Sequence, residues 1–158
     1  MNIAKCAVIT FHRSSAPILF DYILNNSALI RKTSIRDLGI VISHSLGPES
    51  HIDAITTKAS RNLGFLIRTS RSGLSVAAMK FIFTALVRSV LEYGSVVWSP
   101  YEVGHIQQLQ SVQDRFLRVV GVRCGFECRT VPLEDLGISL GLNSIVKRRQ
   151  LLDVVFFP

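Results

Sequence analysis

The chain has 158 residues, 48% of them hydrophobic, and a formal net charge of +7. That length and apolar content suffice for one domain with a real core and exclude a disordered tail, while the positive balance favours an anionic partner without specifying a fold. Three cysteines, Cys6, Cys124 and Cys128, exclude a disulfide framework and fit a reducing compartment, cytosol or nucleus.

The N-terminal part reads as β structure. Ile3 to Phe11 is a strand-length apolar run, and His12-Arg13 cuts it too short for a secretory signal. Ile18 to Leu24 and Ala28 to Lys32 flank Asn25-Asn26-Ser27, whose asparagines tolerate the positive φ of a tight hairpin turn. Leu38 to Ile42 is a further strand candidate. The expected division is a small β unit over residues 1–47 and a mostly helical unit over residues 48–158.

Beyond Gly47-Pro48 the apolar period lengthens from two to about three and a half. Ser50 and Asp53 have capping-box spacing, and Ile52, Ile55, Ala59, Leu63 and Leu66 share one helical face while Lys58, Arg61 and Arg68 share another. Gly64 interrupts this helix at about 1 kcal/mol relative to alanine. Ser75 is the expected N-cap of a second helix, whose stripe is Met79, Ile82, Phe83, Leu86, Val90 and Tyr93, with Lys80, Arg88 and Glu92 away from its centre. Those three charges argue against a membrane span from Leu74 to Trp98, because each costs roughly 2.5–3.5 kcal/mol near a bilayer centre. Ser99-Pro100 ends the helix.

A third helix is expected from Val103 to Val120, with Ile106, Leu109, Val112, Phe116 and Val120 inward, Gln108, Ser111, Arg115 and Arg118 outward, and Gly121 as its stop. Val122 to Val131 reads as a loop, Pro132 to Asp135 as a first helical turn, and Asn143 to Phe157 as a last helix carrying Lys147-Arg148-Arg149.

No hydrolase or phosphate-loop motif occurs. Cys124 and Cys128 lack a second ligand pair at zinc spacing, and no metal site is assigned. The four histidines are scattered and read as surface or capping residues. Nucleotidyl transfer needs two carboxylates around a metal pair, and the only adjacent acidic pair, Glu134-Asp135, reads as helix N-terminal charge. Trp98, Tyr93 and Tyr101 cluster at a helix end, where a packing or capping role competes with base stacking. What remains is cationic. Lys58, Arg61 and Arg68 on one helix and Arg115 and Arg118 on another are placed either as solvated surface or to meet successive phosphates, a contact set independent of sequence and sensitive to salt.

Several segments, in order, resemble the region beyond the catalytic core in reverse transcriptases of non-LTR retrotransposons (LINE-like, jockey-type). Asn2-Ile3-Ala4-Lys5 matches an Asn-x-x-Lys motif, and Ile35 to Ile40 matches Ile-x-x-Leu-Gly-Ile/Val. His51-Ile52 matches a His-Ile pair, and Leu91 to Pro100 matches Leu-Glu-Tyr-Gly-x-x-x-Trp-x-Pro. The resemblance runs from about Asn2 to the C-terminus. It implies an α+β chain, with the last strands of a polymerase palm followed by a thumb-like helical bundle. It also implies Lys5 near the incoming nucleotide's phosphates, Leu38, Gly39 and Ile40 in a primer-supporting turn, and thumb helices holding an RNA/DNA template–primer duplex. The parent polymerase would use Mg2+, but its paired aspartates have no counterpart here. The expectation is therefore a fragment without fingers, catalytic palm or endonuclease, with no cofactor or catalytic residue of its own, no membrane role, and residual non-specific nucleic-acid binding inside the cell. A helical scaffold meeting an acidic protein is the alternative.

Overall fold

Six short strands precede seven helices in a computed structural model that describes Ile3 and residues 6–156. The fold is α+β. It divides into two compact units, Met1–His51 and Ile52–Pro158, so the boundary falls inside the first helix rather than at Gly47-Pro48.

In the first unit, the long N-terminal runs shrink to two-residue strands. Strand β1 (Ala7–Val8) pairs in parallel with β4 (Ile30–Arg31). Between them, β2 (Ile23–Leu24) and β3 (Ser27–Ala28) form the expected hairpin, with φ of 49° at Asn25 and 58° at Asn26 in its turn. Consecutive positive φ values match the right-handed twist of the flanking strands, and asparagine bears them at little cost. A second hairpin joins β5 (Ser34–Asp37) to β6 (Ile40–Ser43). Its turn is Leu38-Gly39, with φ of 45° and 89°, so these residues are not the strand start expected from their apolar character. The turn geometry overrides the apolar run. His51 is buried, and its Nδ1 accepts the Val41 N–H at 3.2 Å, which requires that nitrogen to be unprotonated. Burial and, secondarily, the nearby Arg36 charge push the His51 pKa below its ordinary value.

The second unit is built on three long helical segments. Helix α1 (Glu49–Ser70) begins one residue before Ser50, which therefore lies in the helix and is not its cap. It buries Ile52, Ile55, Ala59, Leu63 and Leu66, the stripe expected from its period. Ser75 caps α2 (Val76–Ile82) by accepting the Ala78 N–H at 3.2 Å. A π-helical segment, Phe83–Arg88, then leads into α3 (Ser89–Glu92), and the Ser89 N–H bonds Thr84 O five residues back. That wider turn rotates everything after it. Met79, Phe83, Val87 and Leu91 face the core at steps of four, whereas Leu86 and Tyr93 are exposed.

The chain turns at Gly94 into α4 (Ser95–Trp98), where the Trp98 indole donates to Tyr93 O at 2.9 Å. Helix α5 (Val103–Arg123) buries Leu109, Val112, Phe116, Leu117 and Val120. Gly121 does not stop it. Instead Gly125, at φ 96°, does so in a Schellman motif, with Gly125 N–H bonded to Val122 O and Phe126 N–H to Gly121 O, both at 3.1 Å. Helix α6 (Leu133–Ser139) follows Pro132, and α7 (Ile145–Phe156) starts where Ser144 Oγ accepts the Lys147 N–H. Phe83 and Phe116 stack at the centre of this unit, ring centroids 4.1 Å apart, worth about 0.5–1.5 kcal/mol beyond their burial.

Candidate nucleic-acid interface

Two hydrogen bonds fix the relative course of α1 and α5. Near their starts, Gln108 Nε2 donates to Asp53 Oδ1 at 2.8 Å, and at their ends Arg123 Nη1 donates to Ser70 O at 3.0 Å. The helices therefore run in the same direction. The second bond also satisfies one of the carbonyls left over at the end of α1. Between the two helices lies an open cleft of about 480 Å3, lined by Thr56, Thr57, Ser60 and Arg61 from α1 and by Gln108, Ser111 and Val112 from α5.

The core stripes on both helices determine which residues point away from the protein. On α1 these include Lys58, Arg61 and Arg68, all exposed. They span about 15 Å at 1.5 Å rise per residue. On α5, Arg115 and Arg118 are exposed and continue the row that begins with Ser111. Among the described residues, none of these five cations takes part in an ion pair. No acidic residue follows Asp53 in α1. The surface is thus cationic and open to phosphates.

Three other arginines prove to be structural. Arg88, expected away from the centre of its helix, is buried by the π-helical rotation and donates from Nε to Glu92 Oε1 at 2.8 Å. Arg148 completes the triad with bonds to Glu92 Oε1 at 2.6 Å and Oε2 at 3.0 Å. Arg149 is buried as well, so Lys147-Arg148-Arg149 is not a solvated basic run. Burial lowers the pKa of Arg88 and of Arg149, and the Glu92 hydrogen bond raises that of Arg148. Exposed cations also stand outside α1 and α5, among them Arg71, Arg129 and Lys147.

Lys5 and the rest of Asn2-Ile3-Ala4-Lys5 apart from Ile3 lie outside the described residues. Leu38 and Gly39 form the β5–β6 turn, and Ile40 opens β6. The structure places them in the first unit, while the five cations belong to the second. Trp98 is buried with its indole engaged, whereas Tyr93 and Tyr101 are exposed.

Among the described residues no three His, Cys, Asp or Glu side chains come together as a metal site, and Glu134 and Asp135 are exposed in the first turn of α6. No helix among the described residues is long and apolar enough to cross a membrane.

The helical period finds the cations but passes over Phe65, next to the Gly64 expected to interrupt the helix. Phe65 is 54% exposed on α1, and at Gly64 beside it the Arg68 guanidinium lies over the helix, Nη1 3.6 Å from where a Cβ would stand. The available signal was an aromatic residue and a mid-helix glycine between two arginines on a face that needs neither for packing.

No protein-family model matches the chain, and neither a curated protein nor a solved structure matches it.

Proposed function

We propose that this chain is the end-of-palm and thumb part of a non-LTR retrotransposon reverse transcriptase, and that it grips the backbone of an RNA–DNA template–primer duplex without catalysing nucleotidyl transfer itself. The observation that carries the binding role is the set of five exposed cations, Lys58, Arg61, Arg68, Arg115 and Arg118, on two parallel helices with no ion pair among the described residues. Support for the family comes from the order of Ile35 to Ile40, His51-Ile52 and Leu91 to Pro100 along the chain. Upstream polymerase segments carrying the metal-binding aspartates are the natural partner, and the nucleus or cytoplasm is the natural location.

Cations that neutralise phosphates release condensed counterions, so affinity falls linearly with salt on logarithmic axes, at a slope of about −0.9 per phosphate contacted. Titrating an RNA–DNA hybrid at several salt concentrations is expected to give a slope of roughly −4.5 if all five cations engage. Replacing Arg115 and Arg118 by alanine should weaken binding evenly across sequences and flatten that slope by about 2. Binding without salt dependence, or none at all, removes the proposal and leaves the scaffold with an acidic protein partner.

A further inference from the structure

Resting on that reading, we infer that Phe65, flanked by Arg61 and Arg68, is a stacking platform for an unpaired base, so that the α1 surface prefers a junction between duplex and single strand to a blunt duplex. Phe65 is the one large apolar side chain of α1 that stands exposed. Such a residue alone is ordinary. Its position is not: Arg61, Phe65 and Arg68 fall at i, i+4 and i+7, which puts Phe65 between two arginines on one face.

Gly64 supplies the second observation. A mid-helix glycine is unfavourable relative to alanine, and no packing demand explains it, because a Cβ built there meets nothing nearer than Arg68 Nη1 at 3.6 Å. The same distance shows that Arg68 reaches back over this turn. Arg61, Gly64 and Arg68 follow one another at i, i+3 and i+7, so the absence of a side chain at Gly64 lets the Arg68 guanidinium lie against the helix on the face it shares with Arg61 and Phe65. A base stacked on Phe65 would have its flanking phosphates held by Arg61 and Arg68 on either side. Every base has a π face, so recognition would be independent of sequence. A base inside a duplex is already stacked on its neighbours, which restricts the contact to an unpaired one.

The test compares the full chain bound to a blunt RNA–DNA hybrid and to the same hybrid with a short single-stranded overhang carrying 2-aminopurine. The overhang substrate is expected to bind more tightly, with quenching of the 2-aminopurine fluorescence as it stacks. Phe65→Ala should weaken overhang binding roughly five- to a hundredfold, abolish the quench, leave the blunt hybrid unchanged and preserve the salt slope. Gly64→Leu displaces the Arg68 guanidinium from this turn while favouring the helix, and should weaken overhang binding without unfolding. Equal wild-type affinity for both substrates, or an equal effect of Phe65→Ala on both, overturns the inference while salt-dependent binding keeps the nucleic-acid role. Loss of salt-dependent binding to either substrate overturns both.

Discussion

At the scale of single residues, glycine has three different jobs in this chain. Gly39 and Gly125 supply positive φ, at 89° and 96°, in a hairpin turn and a helix stop. Gly64 gives the Arg68 guanidinium room to lie over its turn. Gly121 is a packing glycine: a Cβ there would lie 2.4 Å from Val131 Cγ1 and 2.8 Å from Cγ2. Both contacts are too short for real carbons, and Val131 is buried and has little freedom to retreat. Alanine is the better helix former by about 1 kcal/mol, but overpacking a filled site costs about 1–3 kcal/mol. The clash wins. Gly121→Ala is expected to lower stability by roughly 1 kcal/mol or somewhat more in urea unfolding, and Gly121→Ala combined with Val131→Ala should recover part of the clash.

Among the elements, α1 and α5 were the most legible in sequence, because uninterrupted α-helical turns keep the apolar period constant over their length. Ile52 to Leu66 and Leu109 to Val120 are buried as their spacing requires, and the cations opposite them are exposed. The middle helix was legible only as far as Phe83. Its π-helical segment changes the angle per residue, so a constant period assigns Leu86 inward and Arg88 outward when the reverse holds. A sequence carries no local mark of that rotation. Its consequence is the Arg88–Glu92–Arg148 triad, in which one largely buried carboxylate serves two guanidinium groups. Such a triad does not imply net stabilisation, since desolvation offsets the attraction, but removing one partner strands the others. Glu92→Ala is expected to cost about 3–5 kcal/mol, read as a drop in the unfolding midpoint. Replacing all three residues by apolar ones of similar size should cost far less. Equal losses from the two variants would show that the carboxylate contributes no more than its packing volume.

For the whole molecule, the difference between the two units sets the expected behaviour. Every fully buried hydrophobic side chain among the described residues lies at or beyond Ile52. In Met1–His51 the described strands form three separate two-stranded ladders, and Ile18, Phe20, Ile23, Ile30 and Leu38 are each at least two-thirds exposed. This explains why the strand runs were over-read in the sequence: apolar β-formers lengthen into strands only when neighbouring strands complete the ladder, and here most of their edges are unpaired. A two-stranded ladder is marginal in water, and exposed apolar edges invite association. Local opening energies should therefore fall into two classes. Native-state hydrogen exchange is expected to show α1 and α5 core amides exchanging only through global unfolding, while the β1–β4 and β2–β3 amides exchange orders of magnitude faster. The isolated chain should also bind a hydrophobic dye and lose solubility as its concentration rises. The proposed polymerase context makes a further demand: adding the upstream segments in trans should slow exchange in the β1–β4 pair, because a covering partner supplies the missing edges. Uniform protection across both units in the chain alone would contradict this picture.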